Sequence, residues 1–341
     1  GYVQQDVTVK NNNRLRITMT EDAAKKLDEV VVVGYGTQKK ASVTGAISSV
    51  TTKDLVQTPQ ANISNMLVGK MPGLIAMQRS GAPGEDGSTL LIRGVSAFTD
   101  NTAPLVMIDG VERPNYNGVD PNEIESISIL KDASATAIYG VRGANGVILI
   151  TTKKGTVGRP KVSFSNSTTF SRPFVTPQFQ NTYGRKEGEF ASWGEKMEHP
   201  SNYNPLDFFN TGFNVSNSVA LSTGSETSQT HISVGAVNAG GIVPNNRYNR
   251  YNFTFRNSWD VIKDVLQLDF SLLYVKQNTR NGIGQGMFYN PLVPTYLFPP
   301  SDDFKRYAVY EMYNPVRNFK TQNWPYGNLG LGMQNPFWIV N

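Results

Sequence analysis

The chain has 341 residues, a formal net charge of +5, no cysteine and two histidines, His199 and His231. Without cysteine it forms no disulfide and offers no thiolate nucleophile, and the two histidines leave little scope for a metal centre. The basic residues are not gathered on one element, as a nucleic-acid-binding surface requires, so no nucleic acid partner is expected. The absence of a run of about 18 apolar residues excludes an ordinary transmembrane helix.

The sequence also lacks the patterns that carry enzyme chemistry. It contains no nucleophile–base pair, no metal-ligand spacing and no phosphate-binding loop. Gly34 and Gly36 begin a dinucleotide-binding pattern, but Lys39 occupies the third glycine position. We therefore expect no catalytic residues, no metal and no cofactor.

The aromatic residues are unevenly distributed along the chain. Five of the 36 Phe, Tyr and Trp residues precede residue 160, and the rest follow it. Aromatic enrichment is expected where strands meet a membrane interface or where loops grip sugars or peptides. The change in composition predicts a domain boundary near Gly155 to Pro160.

The first 36 residues predict a hairpin, a polar linker and a strand. Residues 1–18 alternate between apolar and polar positions around an Asn-rich turn, as a hairpin does. After the linker, the run Val30–Val33 favours an extended strand because its side chains are β-branched. This strand is either a buried parallel strand or one that adds to the sheet edge of a partner. Its position between a polar linker and the next folded region favours the second interpretation.

The following segment, to about residue 130, predicts a small mixed sheet with two short helices. Asn62 can cap a helix whose apolar face holds Ile63, Met66 and Leu67. Short apolar runs predict strands at residues 74–77, 90–92, 105–108 and 124–130. The Gly- and Pro-containing segment 80–87 predicts a loop.

Residues 130–155 predict a helix, a tight turn and a strand in close succession. Asp132 can cap the helix by accepting backbone N–H bonds of its first turn. Gly140 suits the left-handed turn that ends such a helix. Asn145 and Gly146 form a tight-turn pair, and the β-branched run from Val147 to Thr152 predicts a strand.

Five later segments alternate apolar and polar residues over about ten positions each, the length of a tilted transmembrane strand. Their centres lie at residues 162–170, 213–221, 232–236, 251–259 and 266–274. Their connections alternate between long and short, as in outer-membrane barrels, where the long loops lie outside the cell. A soluble β-sandwich would show the same alternation, so the strands alone do not decide between the two classes.

Four segments resemble, in the same order, motifs of the SusC-like TonB-dependent transporters of the bacterial outer membrane. These segments are Asp28–Gly36, Ile92–Gly94, Pro104–Gly110 and Leu130–Gly155. The resemblance implies an α+β plug domain followed by antiparallel transmembrane β-barrel strands, about five in this chain, which form an incomplete barrel. It implies a remnant of an N-terminal β-sandwich extension at 1–18, a linker and TonB box at 19–36, the plug at 37–155, and the first barrel strands with extracellular loops at 156–341.

The resemblance and the local patterns together assign three groups of residues. The TonB box would consist of Asp28, Glu29, Val30, Val31, Val32, Val33 and Gly34. The residues expected to set the plug structure are Arg93, Gly94, Asp109, Gly110, Asp132, Gly140, Asn145 and Gly146. Arg93 would be either an ion-pair partner of the barrel wall or a plain surface arginine. The substrate-facing candidates are Arg79, Ser80, Gly81, Glu85 and Asp86 at the plug apex, with the loop aromatics Trp193, Tyr203 and Phe208, which could instead pack the loops.

The function implied by the resemblance is TonB-dependent active import of a nutrient across the outer membrane. TonB, with its ExbB and ExbD partners, would supply the energy, and a SusD-like surface lipoprotein would form a lid. The substrate would be a glycan or else an oligopeptide, and the strands would contact outer-membrane lipid. An alternative function is that of an outer-membrane receptor that senses a ligand and signals to the periplasm.

Overall fold

The computed structural model describes residues 30–33, 36–39, 47–56, 60, 62–95, 102–132, 136–187, 189–190, 192–262, 265–282, 284, 286, 288–327 and 332–341. The hairpin predicted for residues 1–18, and the TonB-box residues Asp28, Glu29 and Gly34, lie outside this set. Within it, no helix is long and apolar enough to cross a membrane.

The first part of the chain, called the plug below, consists of short strands joined by helical turns. The strands are β1 (Val30–Val33), β2 (Gly36–Lys39), β3 (Ile47–Thr51), β4 (Leu74–Gln78), β5 (Ser88–Ile92), β6 (Leu105–Ile108), β7 (Val111–Arg113), β8 (Ile124–Leu130) and β9 (Val147–Thr152). The helices are α1 (Thr52–Val56), α2 (Ile63–Met66) and the 3₁₀ helices Pro121–Glu123 and Ala137–Gly143.

A five-stranded mixed sheet in the order β3-β8-β9-β6-β7 forms the centre of the plug. β6 runs parallel to β9, and the other neighbours are antiparallel. On β9, Ile148 and Ile150 belong to the main apolar core, whereas Val147 and Leu149 belong to a second cluster. Because both faces of β9 are covered, its sequence is continuously apolar instead of alternating.

The helix predicted after Asn62 is confirmed. The Asn62 side chain accepts a hydrogen bond of 3.2 Å from the Ser64 amide and so caps α2. Ile63, Met66 and Leu67 are buried in the main apolar core of the plug, as their helical spacing predicts.

The β4–β5 hairpin is separate from the five-stranded sheet, whereas the sequence predicted that these strands would join it. The chain leaves β5 through Arg93 (φ +59°) and Gly94 (φ +93°), two successive left-handed residues that turn it away from the hairpin. The Arg93 guanidinium lies 2.5 Å from the Asp132 carboxylate, just after β8. Among the described residues, the ionic partner of Arg93 thus belongs to the plug and not to the wall, and the Arg93 side chain is exposed at the surface.

The segment after β8 also differs from its prediction. Residues 133–135, the expected first turn of the helix, lie outside the described residues. The 3₁₀ helix Ala137–Gly143 continues past Gly140, whose φ of +57° kinks this segment instead of ending it. The predicted tight turn is confirmed, since Gly146 has φ +87° and β9 begins directly after it. A second tight turn joins β6 to β7 through Asp109 (φ +49°) and Gly110 (φ +80°), a pair of left-handed residues typical of a two-residue hairpin.

Five long antiparallel strands, called the wall below, follow the plug. They are β10 (Gly158–Ser171), β11 (Gly212–Gly224), β12 (Ser228–Gly240), β13 (Arg247–Ile262) and β14 (Leu266–Arg280), and they pair in sequence order. All five predicted strands are confirmed. They have 13 to 16 residues instead of about ten, because pairing continues past the apolar band through polar residues such as Asn249 and Asn278.

The two faces of the wall differ in polarity. On β13, Tyr251 and Phe253 are 48% and 37% exposed, whereas Asn252 and Thr254 are 4% and 6% exposed. The aromatic residues therefore lie on the face away from the plug, and the polar residues lie on the face against it. This is the parity expected for a membrane strand with an apolar outer face.

The two long loops, between β10 and β11 and after β14, pack on each other. They contain α3 (Leu292–Tyr296), β15 (Glu311–Asn314), β16 (Phe319–Gln322), α4 (Pro336–Ile339) and the 3₁₀ helices Pro205–Phe208 and Phe304–Ala308. Their core is an aromatic cluster centred on Phe298, whose ring centroid lies 4.9 Å from that of Phe304 and 5.1 Å from that of Tyr203. Part of the aromatic enrichment after residue 160 thus packs the loops.

Replacing Gly146 with valine tests the turn that leads into β9. A Cβ at Gly146 would lie 2.6 Å from Ile92 Cδ1 and 3.1 Å from the Leu130 carbonyl oxygen. A valine in this left-handed backbone conformation is strained, and its side chain would overpack the core. Together these effects should lower the free energy of unfolding by about 2–4 kcal/mol. The measurement is thermal unfolding of the purified protein by circular dichroism. Gly81→Val is the control, because Gly81 has no heavy atom within 4 Å and no left-handed φ. Equal transitions for the two variants would contradict the strained turn.

Candidate functional site: the plug docking surface and the apical cleft

The inner face of β13 carries a stripe of buried polar residues. They are Arg250, Asn252, Thr254, Arg256 and Ser258, each at most 7% exposed. They occupy every second position of the strand, so they share the face that lies against the plug. Burial of a charged or polar side chain is unfavourable unless it is hydrogen-bonded or paired. The plug supplies those partners for Arg250, Asn252 and Arg256.

Arg256 is held by the plug turn between β6 and β7. Its Nη1 lies 3.0 Å from Asp109 Oδ1 and donates to Thr152 Oγ1 at 2.9 Å. The Asp109 carboxylate also accepts hydrogen bonds from the Thr152 amide (2.9 Å) and hydroxyl (2.6 Å). The left-handed conformation of Asp109 places its carboxylate between the end of β9 and the wall. Asp109 therefore does more than close a hairpin, which is the role that the sequence predicted.

A second buried pair lies beside the first. His231 Nε2 on β12 is 2.7 Å from Glu123 Oε2 at the end of a plug 3₁₀ helix, and both side chains are 3% exposed. His231 and Arg256 are directly opposite each other in the pairing of β12 with β13. Two neighbouring wall residues thus bind two plug carboxylates.

Backbone groups of the plug complete the docking surface. Asn252 Nδ2 donates to the Gly118 carbonyl at 2.5 Å, and Arg250 Nη1 donates to the Asn117 carbonyl at 3.0 Å. Gly235, opposite Asn252, lies so close to the Asp120 carboxylate that a Cβ would collide with it. These contacts fix the plug on β12 and β13 at several points.

Sequence reasoning missed this docking surface. His231 was considered only as a metal ligand, and the polar residues of β13 only as the polar half of an alternating strand. A signal was present nonetheless. Arg250 and Arg256 lie on the same face of one strand, and two arginines on one strand face predict that this face has charged partners. Within the described residues, no group of three or more His, Asp or Glu side chains is arranged to hold a metal ion.

Four of the five predicted apex residues line one cleft of about 720 Å³, which we call the apical cleft. They are Arg79, Ser80, Gly81 and Asp86. The opposite sides of the cleft are formed by the upper ends of β10 to β12 and by the loop after β14. Glu85 is directed elsewhere, since its carboxylate lies against Gly282 and leaves no room for a Cβ there.

The apical cleft has a mixed lining of polar, charged and apolar side chains. Burial raises the pKa of the Asp86 carboxyl above its ordinary value, and the Asp86 backbone carbonyl accepts hydrogen bonds from Asn65 (2.7 Å) and Gln78 (3.1 Å). Arg79 and Arg172 are exposed at the rim, and Arg172 Nε donates to Thr211 Oγ1 at 3.0 Å. The cleft can therefore offer hydrogen-bond donors and positive charge to a polar ligand.

The three predicted loop aromatics have different surroundings. Phe208 is 3% exposed inside the aromatic cluster. Tyr203 packs against the same cluster and donates to the Thr295 carbonyl at 2.6 Å. Trp193 is 65% exposed, 6.0 Å from the ring of Tyr183. In this arrangement Phe208 and Tyr203 pack the loops, and Trp193 alone of the three presents an open ring.

Asp302 anchors the aromatic cluster through two tyrosine hydroxyls. Both Tyr307 and Tyr326 donate to Asp302 Oδ2, Tyr307 at 2.6 Å. Burial opposes ionisation of Asp302, but these hydrogen bonds outweigh it and lower the pKa of the carboxyl. Burial, followed by the bond to Asp302, raises the pKa of Tyr307 to about 12. Asp302 therefore stays ionised and Tyr307 stays protonated across neutral pH.

The predicted coupling strand β1 forms a two-stranded antiparallel sheet with β2. Val31 is opposite Gln38 in this pairing. Among the described strands, β1 pairs with no other. Its pairing with β2 is antiparallel, which differs from the alternative of a parallel strand.

Removing one charge of the Arg256 pair tests the docking surface. Asp109→Asn keeps a residue that tolerates the left-handed backbone but leaves Arg256 buried without its counter-charge. We expect a loss of about 3 kcal/mol in plug stability. The measurement is the temperature at which trypsin begins to cleave the plug of the purified protein.

The double variant Asp109→Asn with Arg256→Met should recover part of this loss, because it removes the uncompensated charge. Lys320→Met is the control, since Lys320 pairs with Glu311 on an exposed loop hairpin, and it should leave the cleavage temperature unchanged. A plug that is equally protected in Asp109→Asn and in the control would contradict the docking role of Asp109.

Comparison with known proteins agrees with this geometry. The TonB-dependent receptor plug domain, as a family, matches residues 39–147. A TonB-dependent receptor of Formosa agariphila is 34% identical over 87% of this chain, and the TonB-dependent receptor SusC of Bacteroides thetaiotaomicron is 30% identical over 98% of it. The matched segments make up 31% and 35% of those two proteins, so this chain spans about a third of their length.

Among solved structures, the RagAB peptide importer in its open-open state shares the fold. The TM-score is 0.67 at 24% identity, covering 91% of this chain and 38% of that one. The chain therefore belongs to the SusC-like TonB-dependent receptors, a non-enzymatic family of the outer membrane, and carries the plug region and the start of the barrel.

Proposed function

We propose that this chain forms the gated entrance of an active importer that takes up a nutrient across the outer membrane. The observation that carries the proposal is the polar nature of the docking surface. The plug meets the wall through polar contacts such as the Arg256–Asp109 ion pair and the His231–Glu123 hydrogen bond. Where part of the plug separates from the wall, water can replace the polar contacts that are lost there, whereas an apolar interface would lose its burial free energy.

The energy source in this proposal is TonB, driven by ExbB and ExbD and acting on residues 28–34. A strand gains a partner most readily when one edge is open, because main-chain hydrogen bonds then supply the affinity. The described part of this segment, β1, is paired on one side only, with β2. The similarity of this chain to TonB-dependent receptors supports this coupling.

The proposed substrate is a glycan bound first at the apical cleft. The lining of this cleft is rich in glycine, serine, asparagine and arginine, which suits a ligand with many hydroxyl groups. An oligopeptide is the second candidate, favoured by the similarity in fold to the RagAB peptide importer.

A SusD-like surface lipoprotein is proposed as the lid over the cleft. The aromatic cluster gives the two long loops a rigid core, and a rigid rim is a suitable platform for such a lid. The exposed ring of Trp193 is then available to the ligand or to the lid. The outer face of the wall, with Tyr251 and Phe253, would contact membrane lipid.

Substituting Val31 with proline tests the coupling strand. Proline removes a backbone donor from β1 and should block strand addition by TonB. We expect growth to fail on the nutrient whose use depends on this protein, with normal amounts of protein in the outer membrane.

Val31→Thr is the matched control, because it keeps the backbone N–H and a β-branched side chain. It should support normal growth. Normal growth of the Val31→Pro strain would overturn the assignment of this segment as the coupling strand.

A further inference from the structure

The inner face of the wall is divided into two halves of different composition. Strand pairing aligns residues into rows that run from β10 to β14, for example Ser167, Ser216, Val237 and Arg250, or Ser165, Ser218, Gly235 and Asn252. In the rows from residue 163 upward, β10 and β11 contribute small, uncharged side chains. These are Ser163, Ser165, Ser167 and Thr169 on β10, and Asn214, Ser216, Ser218 and Ala220 on β11. The long side chains that reach the plug belong to β12, β13 and β14, for example His231, Arg250 and Gln277.

Three cavities separate the plug from the β10–β11 half of the wall. The apical cleft, of about 720 Å³, is at the top. A central cavity of about 170 Å³ lies between the plug residues Gln60 and Asn122 and the wall residues Ser167 and Ser216, and Arg250 of β13 borders it on the side of the docking surface. A basal cavity of about 540 Å³ extends to Lys153, Lys154 and Lys161.

These cavities adjoin one another. The apical and central cavities share Gln60 and Asn214 among their lining residues. The central and basal cavities share Asn122 and Ser165. Together they trace a seam between plug and wall along the length of β10 and β11, and the central cavity is its narrowest part.

The main docking contacts lie on the other half of the wall. Arg256–Asp109, Arg250–Asn117 and Asn252–Gly118 all involve β13. Widening the central cavity displaces the plug from serine residues, whereas opening the β13 side would expose buried, paired charges. The second movement is costlier, because each separated charge must be rehydrated or left without its partner.

From these observations we propose that the substrate crosses along the β10–β11 seam while the plug stays docked on β13. The inference rests on the proposed function and adds the route. The lining suits an extended chain bearing hydroxyl groups, because serine and threonine both donate and accept hydrogen bonds. Both ends of the seam carry charges of both signs, with arginines and Asp86 at the upper end and lysines, Glu123 and Glu125 at the lower end.

These 341 residues contain no cysteine, so this part of the receptor adds no background to the labelling of a single introduced cysteine. The full-length receptor without an introduced cysteine gives the background from the rest of the protein. The full-length receptor carries Ser167→Cys or Ser216→Cys at the central cavity. Ser233→Cys is the matched control, an inward-facing serine on β12 that is 3% exposed. Cells are treated with a small, membrane-impermeant methanethiosulfonate reagent, with and without a protonophore that removes the energy source.

We expect energised cells to label Ser167→Cys and Ser216→Cys at least about tenfold faster than de-energised cells, since an open state at rest is a minor population. The labelling rate of Ser233→Cys should be the same in both. Energy-dependent labelling of Ser233→Cys alone, or unchanged rates at both central positions, would overturn the route.

Repeating the measurement with Val31→Pro separates the route from the proposed function. Rates at Ser167→Cys and Ser216→Cys that still rise in this variant would support the route but contradict coupling through β1. The other outcome is that Val31→Pro abolishes growth while the labelling rates of Ser167→Cys and Ser216→Cys do not change with energy. This outcome would support the importer function and overturn the route.

Discussion

A buried guanidinium requires a counter-charge and hydrogen-bond acceptors, and Arg256 finds both on the plug. This requirement links elements that are distant in the chain, because Asp109 lies in the turn after β6 and Thr152 ends β9, while Arg256 belongs to the wall. The same turn needs left-handed residues to direct the Asp109 carboxylate outward. The tight turns of the plug thus serve docking as well as folding.

The polar character of the docking surface connects the fold to the proposed importer. A plug held by apolar burial would be difficult to displace reversibly, whereas ion pairs and hydrogen bonds have partners in water. The contacts are also unevenly distributed around the described wall. β12 and β13 hold the plug through long polar side chains, and β10 and β11 face it with serines across connected cavities. The sequence of the wall thereby distinguishes a side that holds from a side that can open.

Local signals in the sequence predicted much of this fold. The alternation in β10 to β14, the Asn62 cap and the turn at Gly146 each depend on a few neighbouring residues, so composition and spacing reveal them. The separate β4–β5 hairpin was not predictable in this way, because apolar runs do not specify which strands pair. The kinked 3₁₀ segment at Gly140 was likewise misjudged, since a left-handed glycine can bend a helical segment as well as end it.

The candidate site was less predictable, because it depends on contacts between plug and wall. No local sequence pattern indicates that His231 and Glu123 form a pair, because they are 108 positions apart in the chain. Arg79, Ser80, Gly81 and Asp86 were correctly grouped because they are neighbours in one loop. For Phe208 the residue type left two alternatives, contact with the substrate or packing of the loops, and the structure places its ring in the aromatic cluster of the loops.

The most direct test of the account is a reversible cross-link between plug and wall at the docking surface. Asp120 and Gly235 are in close contact, and cysteines at both positions of the full-length receptor should form a disulfide under mild oxidation. The measurement is the uptake of the nutrient by cells before oxidation, after oxidation, and after the disulfide has been reduced. The account predicts that uptake continues with the disulfide formed, because the plug stays docked on this half of the wall. Uptake that stops on oxidation and returns on reduction would contradict it.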